Sequence, residues 1–262
     1  MKKNFSFWQS SPDHFAEERR ESSARQKSRG QVMNDDPVVK IENLKVGYGK
    51  KTVLWDLNLQ VQLGECLSIG GPNGAGKTTL FKAILGLLTP FQGKVSVFGQ
   101  ELIREKERRW VRSQIGYVPQ QIIPGKLPIS VHDAVMMGRW GKSFSFGKKP
   151  GLKDIQITSA ILAKVGLTHK EWHDCRYLSG GEQQKIAIAR ALAREAKLLL
   201  LDEPATFLDQ ESREELFHFM KKLKSDQGLT MVIVSHDPHY LSGLADRSFQ
   251  MSGGKLGQIS DN

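Results

Sequence analysis

Only two cysteines occur in the 262 residues, Cys66 and Cys175, far apart along the chain. That excludes a disulfide-stapled secreted scaffold and points to reduced thiols in a cytoplasmic setting. No apolar run approaches the roughly 20 residues a helix needs to cross a bilayer, so the chain is not expected to form a pore by itself. The opening Met1-Lys2-Lys3-Asn4-Phe5-Ser6-Phe7-Trp8 is basic and then aromatic, but its apolar part is too short for a secretory signal. Also missing is any helix-turn-helix, RNA-binding signature or zinc finger to accompany the formal net charge of +10, so no nucleic acid is expected as partner. The length suits one domain with a core large enough to fold without staples.

Residues 1–36 are expected to be a flexible charged tail, because 9–36 are rich in Ser, Arg, Glu and Gln. Charges in that stretch nearly balance, so the positive excess lies elsewhere. Part of it sits in Arg139, Lys142, Lys148, Lys149 and Lys153, with no acidic residue between them. Such a run suits a solvated loop or a surface facing anionic lipid head groups. His169 and His173 are spaced to share a helix face near Asp174 and Cys175, which serves either a metal ion or a plain polar surface.

Chemistry enters at Gly71-Pro72-Asn73-Gly74-Ala75-Gly76-Lys77-Thr78-Thr79. Cys66-Leu67-Ser68-Ile69 before it has the apolar, small character of a buried strand. After it, Leu80, Ile84 and Leu87 recur at helical spacing. Strand, glycine-rich loop and helix in that order make a phosphate-binding loop. Gly74 and Gly76 let successive N–H groups point at phosphate oxygens, and the helix start presents more. Lys77 is placed to reach the β- and γ-phosphates, and the Thr78 hydroxyl to ligate Mg²⁺.

A second apolar run, Leu198 to Leu201, ends in Asp202-Glu203-Pro204. Parallel sheets hold their ligands at the carboxyl ends of strands, so these two carboxylates are candidates for the same site. Asp202 is expected to partner Mg²⁺ through water, and Glu203 to act as general base on the attacking water. Leu229 to Val234 form a further apolar strand leading into Ser235-His236-Asp237, and Ile115 to Gln120 another. Ser179-Gly180-Gly181-Glu182 has capping-box spacing. Ser179 should therefore start a helix running through Ile186, Ile188, Ala191 and Leu192.

The phosphate loop together with Leu178-Ser179-Gly180-Gly181-Glu182 resembles the ATP-binding cassette (ABC) ATPases, with motifs in that family's order from Tyr48 to His236. The resemblance implies an α/β fold: a P-loop NTPase (RecA-like) core, an N-terminal antiparallel β-subdomain and an inserted helical subdomain. It places the ABC ATPase domain at 37–258, with the helical subdomain over roughly 121–178. ATP and Mg²⁺ are the implied cofactors. Gly71, Asn73, Gly74, Ala75, Gly76, Lys77, Thr78 and Thr79 would hold phosphates, and Tyr48 would stack on adenine. Gln120 would touch Mg²⁺ and the attacking water, and His236 the γ-phosphate. In this family two cassettes meet head to tail. Ser179, Gly180, Gly181 and Glu182 of one then cover the γ-phosphate of the other, and Asp209 acts across the interface. Family members usually carry a small residue where Phe207 stands.

After Gln120, the stretch Pro128-Ile129-Ser130-Val131, continued by Val135-Met136-Met137-Gly138-Arg139, resembles the ATPases of bacterial zinc, manganese and iron importers. Ile129, Val131, Ala134, Val135 and Met136 are expected to pack inward on a short helix. The implied partners are integral membrane permease subunits, a second ABC ATPase subunit forming a homodimer and, indirectly, a substrate-binding protein. The implied location is the cytoplasmic face of the cell membrane. The alternative is a soluble ABC ATPase of iron–sulfur assembly or nucleic-acid remodelling. The segment after Gln120 argues against it.

Overall fold

A computed structural model describes residues 36–120, 128–236 and 241–259. The expected tail up to residue 35, residues 121–127, residues 237–240 with Asp237 among them, and residues 260–262 lie outside the described residues. From Pro37 onward the described residues belong to one unit.

Two sheets arise from two kinds of hydrophobic pattern. In β1 (Val39–Tyr48), Val39, Ile41, Leu44 and Val46 are buried while Glu42, Asn43 and Tyr48 are exposed, which suits a sheet covered on one face. β1 pairs antiparallel with β2 (Lys51–Val61) and with β4 (Gln92–Val97). A short β5 (Gln100–Glu101) completes the order β2-β1-β4-β5. This is the antiparallel subdomain expected at the N-terminal side.

The second sheet contains β3 (Cys66–Gly70), β6 (Ile115–Val118), β7 (Leu198–Asp202), β8 (Thr230–Val234), β9 (Arg247–Ser252) and β10 (Lys255–Ile259). Its order is β10-β9-β3-β8-β7-β6, parallel throughout except for the β10 edge. Every residue of β3, β7 and β8 is buried, so these strands show continuous apolar runs rather than alternation. The alternation survives in which layer each side chain enters. Leu67, Ile69, Leu198, Leu200, Val232 and Val234 pack with Leu80 and Phe81 of α1 (Lys77–Ile84). Cys66, Leu199, Leu201, Met231 and Ile233 pack on the opposite face. There they meet Ile188 of α5 (Gly180–Ala193) and Leu216, Met220 and Leu223 of α6 (Gln210–Gln227). α1 is shorter than its periodicity suggests: it ends at Ile84, and Leu87 lies beyond it, exposed.

Between β6 and β7 lies the helical insert. α2 (Glu105–Gln114) leads into β6. α3 (Val131–Met136) starts at Ser130, whose hydroxyl accepts from the Asp133 N–H. Val131, Val135 and Met136 are buried as expected, and Val131 and Val135 share a third core with Ile161 and Leu162 of α4 (Leu152–Lys164) and Ile186 of α5. No described helix is long and apolar enough to cross a membrane.

Two expectations change here. Arg139 is only 4% exposed, pairs with Asp154 at 3.0 Å and Glu195 at 3.3 Å, and donates to the Ala193 carbonyl at 3.1 Å. Lys142 also pairs with Glu195 and donates to the Arg194 carbonyl. These two cations latch the insert onto the C-terminal end of α5; Arg139 is thereby withdrawn from solvent, while Lys142 stays exposed. Of their acidic partners, Asp154 falls just outside the segment in sequence and Glu195 is brought in by the fold. His169 sits in a single 3₁₀ turn, Thr168–Lys170, and His173 follows it, so they do not share a helix face. Among the described residues, no group of three or more His, Cys, Asp or Glu side chains could hold a metal ion.

Candidate functional site

Parallel pairing brings the ends of β3, β7 and β8 side by side, with Ile69 opposite Val234 and Asp202 opposite Val234. The phosphate loop leaves β3 there. Gly74 and Gly76 have φ of 80° and 113°, a left-handed backbone that side chains with a Cβ adopt only with strain. Gly76 is the N-cap of α1 and supplies no side-chain cap, and the first turn carries no acidic residue. The helix start therefore presents unpaired amides and the positive end of its dipole to an anion. Asn73, Gly74 and Thr78 line the exposed side, while Ala75, Gly76, Lys77 and Thr79 are buried.

The Lys77 ammonium donates to the carbonyls of Gly71 at 2.7 Å and Pro72 at 3.2 Å, and pairs with Glu203 Oε1 at 3.2 Å. Glu203 is 6% exposed. Its other oxygen, Oε2, accepts from Gln120 Nε2 and from the Thr206 hydroxyl, both at 3.0 Å, and lies 3.4 Å from His236 Nδ1. Burial pushes this carboxyl up, but the bonds from Thr206 and Lys77 and the Lys77 charge outweigh it, so Glu203 titrates below the usual glutamate range. Its backbone φ is +49°, a left-handed conformation for a residue with a Cβ. The N–H of this strained residue is anchored on the Val234 carbonyl at 2.9 Å.

Asp202 next to it behaves oppositely. Burial raises its pKa, hydrogen bonds from Thr78 at 3.0 Å and Tyr117 at 3.2 Å offset only part of that, and the Glu203 charge adds to it. The two adjacent carboxyls are thus shifted in opposite directions. The donor set suits Mg²⁺: a buried carboxylate and a threonine hydroxyl, both hard oxygens, converge at the mouth of an anion-binding loop.

Tyr48 is 45% exposed, and its hydroxyl accepts from Lys82 Nζ at 3.1 Å. The Lys82 ammonium also lies 5.2 Å from the ring centroid. At the other candidate motif the capping box forms as its spacing predicts. Ser179 Oγ accepts from the Glu182 N–H at 3.3 Å, and Glu182 Oε2 accepts from the Ser179 N–H at 3.0 Å. Glu182 is further held by Lys170. Asp209 caps α6, accepting from the Ser212 N–H at 2.8 Å. Between Glu203 and Asp209, Phe207 is 69% exposed.

The fold therefore joins Lys77, Thr78, Gln120, Asp202, Glu203 and His236 in one bonded cluster. Ser179, Glu182 and Asp209 make their bonds at their own helix starts, apart from that cluster. Three further participants carry no motif in the sequence. Thr206 bonds Glu203 across one turn, Lys82 braces Tyr48, and Tyr117 donates to Asp202 while packing edge-on against Phe81 of α1, centroids 6.2 Å apart. Tyr117 stands opposite Leu200 in register, a place the apolar strand pattern marks only as core.

Comparison with known proteins bears on family and fold. The ABC transporter family model matches residues 54–206. The manganese transport system ATP-binding protein MntB of Bacillus subtilis is 38% identical over 200 residues, 76% of this chain and 77% of that protein. The high-affinity zinc uptake system ATP-binding protein ZnuC of the same organism is 34% identical over 224 residues, 84% of this chain and 93% of its own length. Among solved structures, the dimeric cassette MJ0796 in a post-hydrolysis state with ADP and Pi superposes with a TM-score of 0.70 at 28% identity, covering 86% of this chain and 100% of that one. CbiO1 of Clostridium perfringens, part of the ABC transporter complex CbiONQ, superposes with a TM-score of 0.77 at 28% identity, covering 85% of this chain and 87% of that one.

Proposed function

The chain belongs to the ABC transporter family as an ATP-hydrolysing subunit, and from that premise we propose that it drives import of a metal ion, manganese, zinc or iron, or of a metal chelate. It would work as a head-to-tail homodimer on the cytoplasmic face of the membrane, beneath separate permease subunits that receive cargo from a binding protein. The observation that carries the catalytic reading is the convergence of Lys77, Gln120, Thr206 and His236 on the two oxygens of Glu203. The cargo reading is carried by the manganese and zinc systems among the relatives.

In this scheme the triphosphate enters the loop of Gly71 to Thr79, and Lys77 turns from Glu203 Oε1 to a phosphate oxygen. Oε1 is then open to a water, while Gln120, Thr206 and His236 keep Oε2 in place. Glu203 takes the proton as that water attacks the γ-phosphorus, giving ADP and phosphate. Mg²⁺, held by Thr78 and Asp202 with Gln120 at its edge, would neutralise charge on the β- and γ-phosphate oxygens. Ser179, Gly180 and Gly181 of the second copy close over the γ-phosphate, with Glu182 holding that helix start in shape. Asp209 and Phe207 lie along the same seam. Tyr48, braced by Lys82, offers its free face to adenine.

Tyr117→Phe tests the support of the Mg²⁺ position. Removing the hydrogen bond to Asp202 is expected to weaken nucleotide binding about tenfold with Mg²⁺ present and to leave binding in EDTA unchanged. Calorimetric titration under both conditions separates this from a general packing defect, which would lower both affinities equally.

The cargo is tested by uptake of radioactive manganese, zinc and iron in cells lacking this chain. Uptake of one metal is expected to fall and to return with the wild-type chain but not with Glu203→Gln. Undiminished uptake of all three would remove the metal-import reading. Capture of the tagged chain without any polytopic membrane protein would remove the transporter partnership.

A further inference from the structure

Of the five cations in the basic segment, Arg139 and Lys142 are consumed by the latch on α5, and Asp154, the nearest acid, is consumed with them. Lys148, Lys149 and Lys153 remain exposed, with no ion pair among the described residues. Between the latch and α4 the chain forms a lobe. Its base is Trp140, which packs edge-on against the buried Phe144 at 5.4 Å. The same ring supports Phe146 edge-on at 5.1 Å, yet Phe146 is 94% exposed. Leu152, opening α4, is 81% exposed. A phenyl ring propped on a tryptophan and still almost wholly in water is not covered by any of the described residues. Lys148, Lys149 and Lys153 follow it in the same exposed segment, with no ion pair among the described residues.

We propose that this lobe rests on anionic lipid head groups, with Phe146 and Leu152 entering the head-group layer and Lys148, Lys149 and Lys153 facing lipid phosphates. The inference rests on the membrane-side placement proposed above. Lysines in one segment with exposed aromatic and aliphatic side chains suit an interfacial contact, where charge draws the lobe in and apolar groups anchor it. The competing occupant is a cytoplasmic loop of a membrane subunit. Such loops carry an excess of Lys and Arg, so three unpaired lysines would meet like charge there and opposite charge on the lipid. The attraction acts within about one Debye length of the surface, roughly 8 Å at physiological salt.

The test is sedimentation of the purified full chain with vesicles of phosphatidylcholine alone or mixed with phosphatidylglycerol, with ATP turnover measured on the same samples. Wild type is expected to partition to the anionic vesicles and to be released by salt. Changing Lys148, Lys149 and Lys153 to Glu is expected to weaken that partition about a hundredfold, and Phe146→Ser alone about tenfold, both with unchanged basal turnover. No preference for anionic vesicles, or equal binding by wild type and the lysine variant, overturns the proposal. So does loss of membrane-protein capture by the variants while their vesicle binding persists, which would assign the lobe to a protein partner. Absent ATP turnover in wild type would strike the ATPase reading and leave the vesicle result standing.

Discussion

Replacing Glu203 by Gln is expected to lower the rate of ATP hydrolysis about a thousandfold while ATP still binds. The side chain keeps its shape, so the strained backbone at φ +49° and the Thr206 bond to Oε2 need not change. What disappears is a carboxylate whose pKa Thr206 and Lys77 hold down, the group proposed to take a proton from the attacking water. ATP affinity should hold or rise, because the neutral amide no longer competes with phosphate for the Lys77 ammonium. In the proposed scheme the two copies would then stay closed over ATP. Phosphate release, equilibrium nucleotide binding and size-exclusion chromatography with ATP read the three consequences separately. Hydrolysis at the full rate would remove Glu203 from the chemistry. Lost binding would make it a structural residue of the loop.

The parts of this site that were legible in the sequence are those whose chemistry needs a fixed spacing. The loop from Gly71 to Thr79, the carboxylates ending β7 and the Ser179–Glu182 capping box each announce themselves locally, because their function is built from neighbouring backbone and side-chain atoms. The buried strands were legible for a related reason: runs such as Leu198 to Leu201 have no exposed face to alternate with. Membership of one site was a different matter. It depends on the parallel register that sets Asp202 beside Val234, which no local pattern contains.

What stayed hidden was long-range and polar. Tyr117 reaches Asp202 across 85 positions, and Arg139 meets Ala193 across 54. The basic segment lacked acids only when viewed as a string; folding supplies Glu195 to Arg139 and Lys142. Helical spacing carried α1 too far, to Leu87, because the chain turns at Gly86, where φ is 64°. The histidine pair failed through the same kind of local break, since a single 3₁₀ turn does not keep the 3.6-residue period.

Lys77→Ala is expected to weaken ATP binding at least about a hundredfold, since it removes a cation in direct contact with the loop carbonyls and with Glu203. It should also destabilise the fold, by about 3 kcal/mol near neutral pH, because it strands a buried carboxylate. The two effects have different pH dependences. Glu203 titrates below its ordinary value in the folded chain, so its favourable contribution is present above the unfolded pKa and is lost as pH falls through the folded one. Removing Lys77 takes away part of that downward pull. The stability gap between wild type and variant should therefore be widest at neutral pH and should close in acid, where Glu203 is protonated in both. Urea titrations at neutral and acid pH read the gap directly, and a gap independent of pH would show that lost packing, not charge, is the cause. Combining Lys77→Ala with Glu203→Gln is expected to recover most of the stability and none of the ATP affinity. Stability and binding then separate because the lysine has two counter-charges, one supplied by the chain and one by the nucleotide, and only the first can be neutralised by mutation.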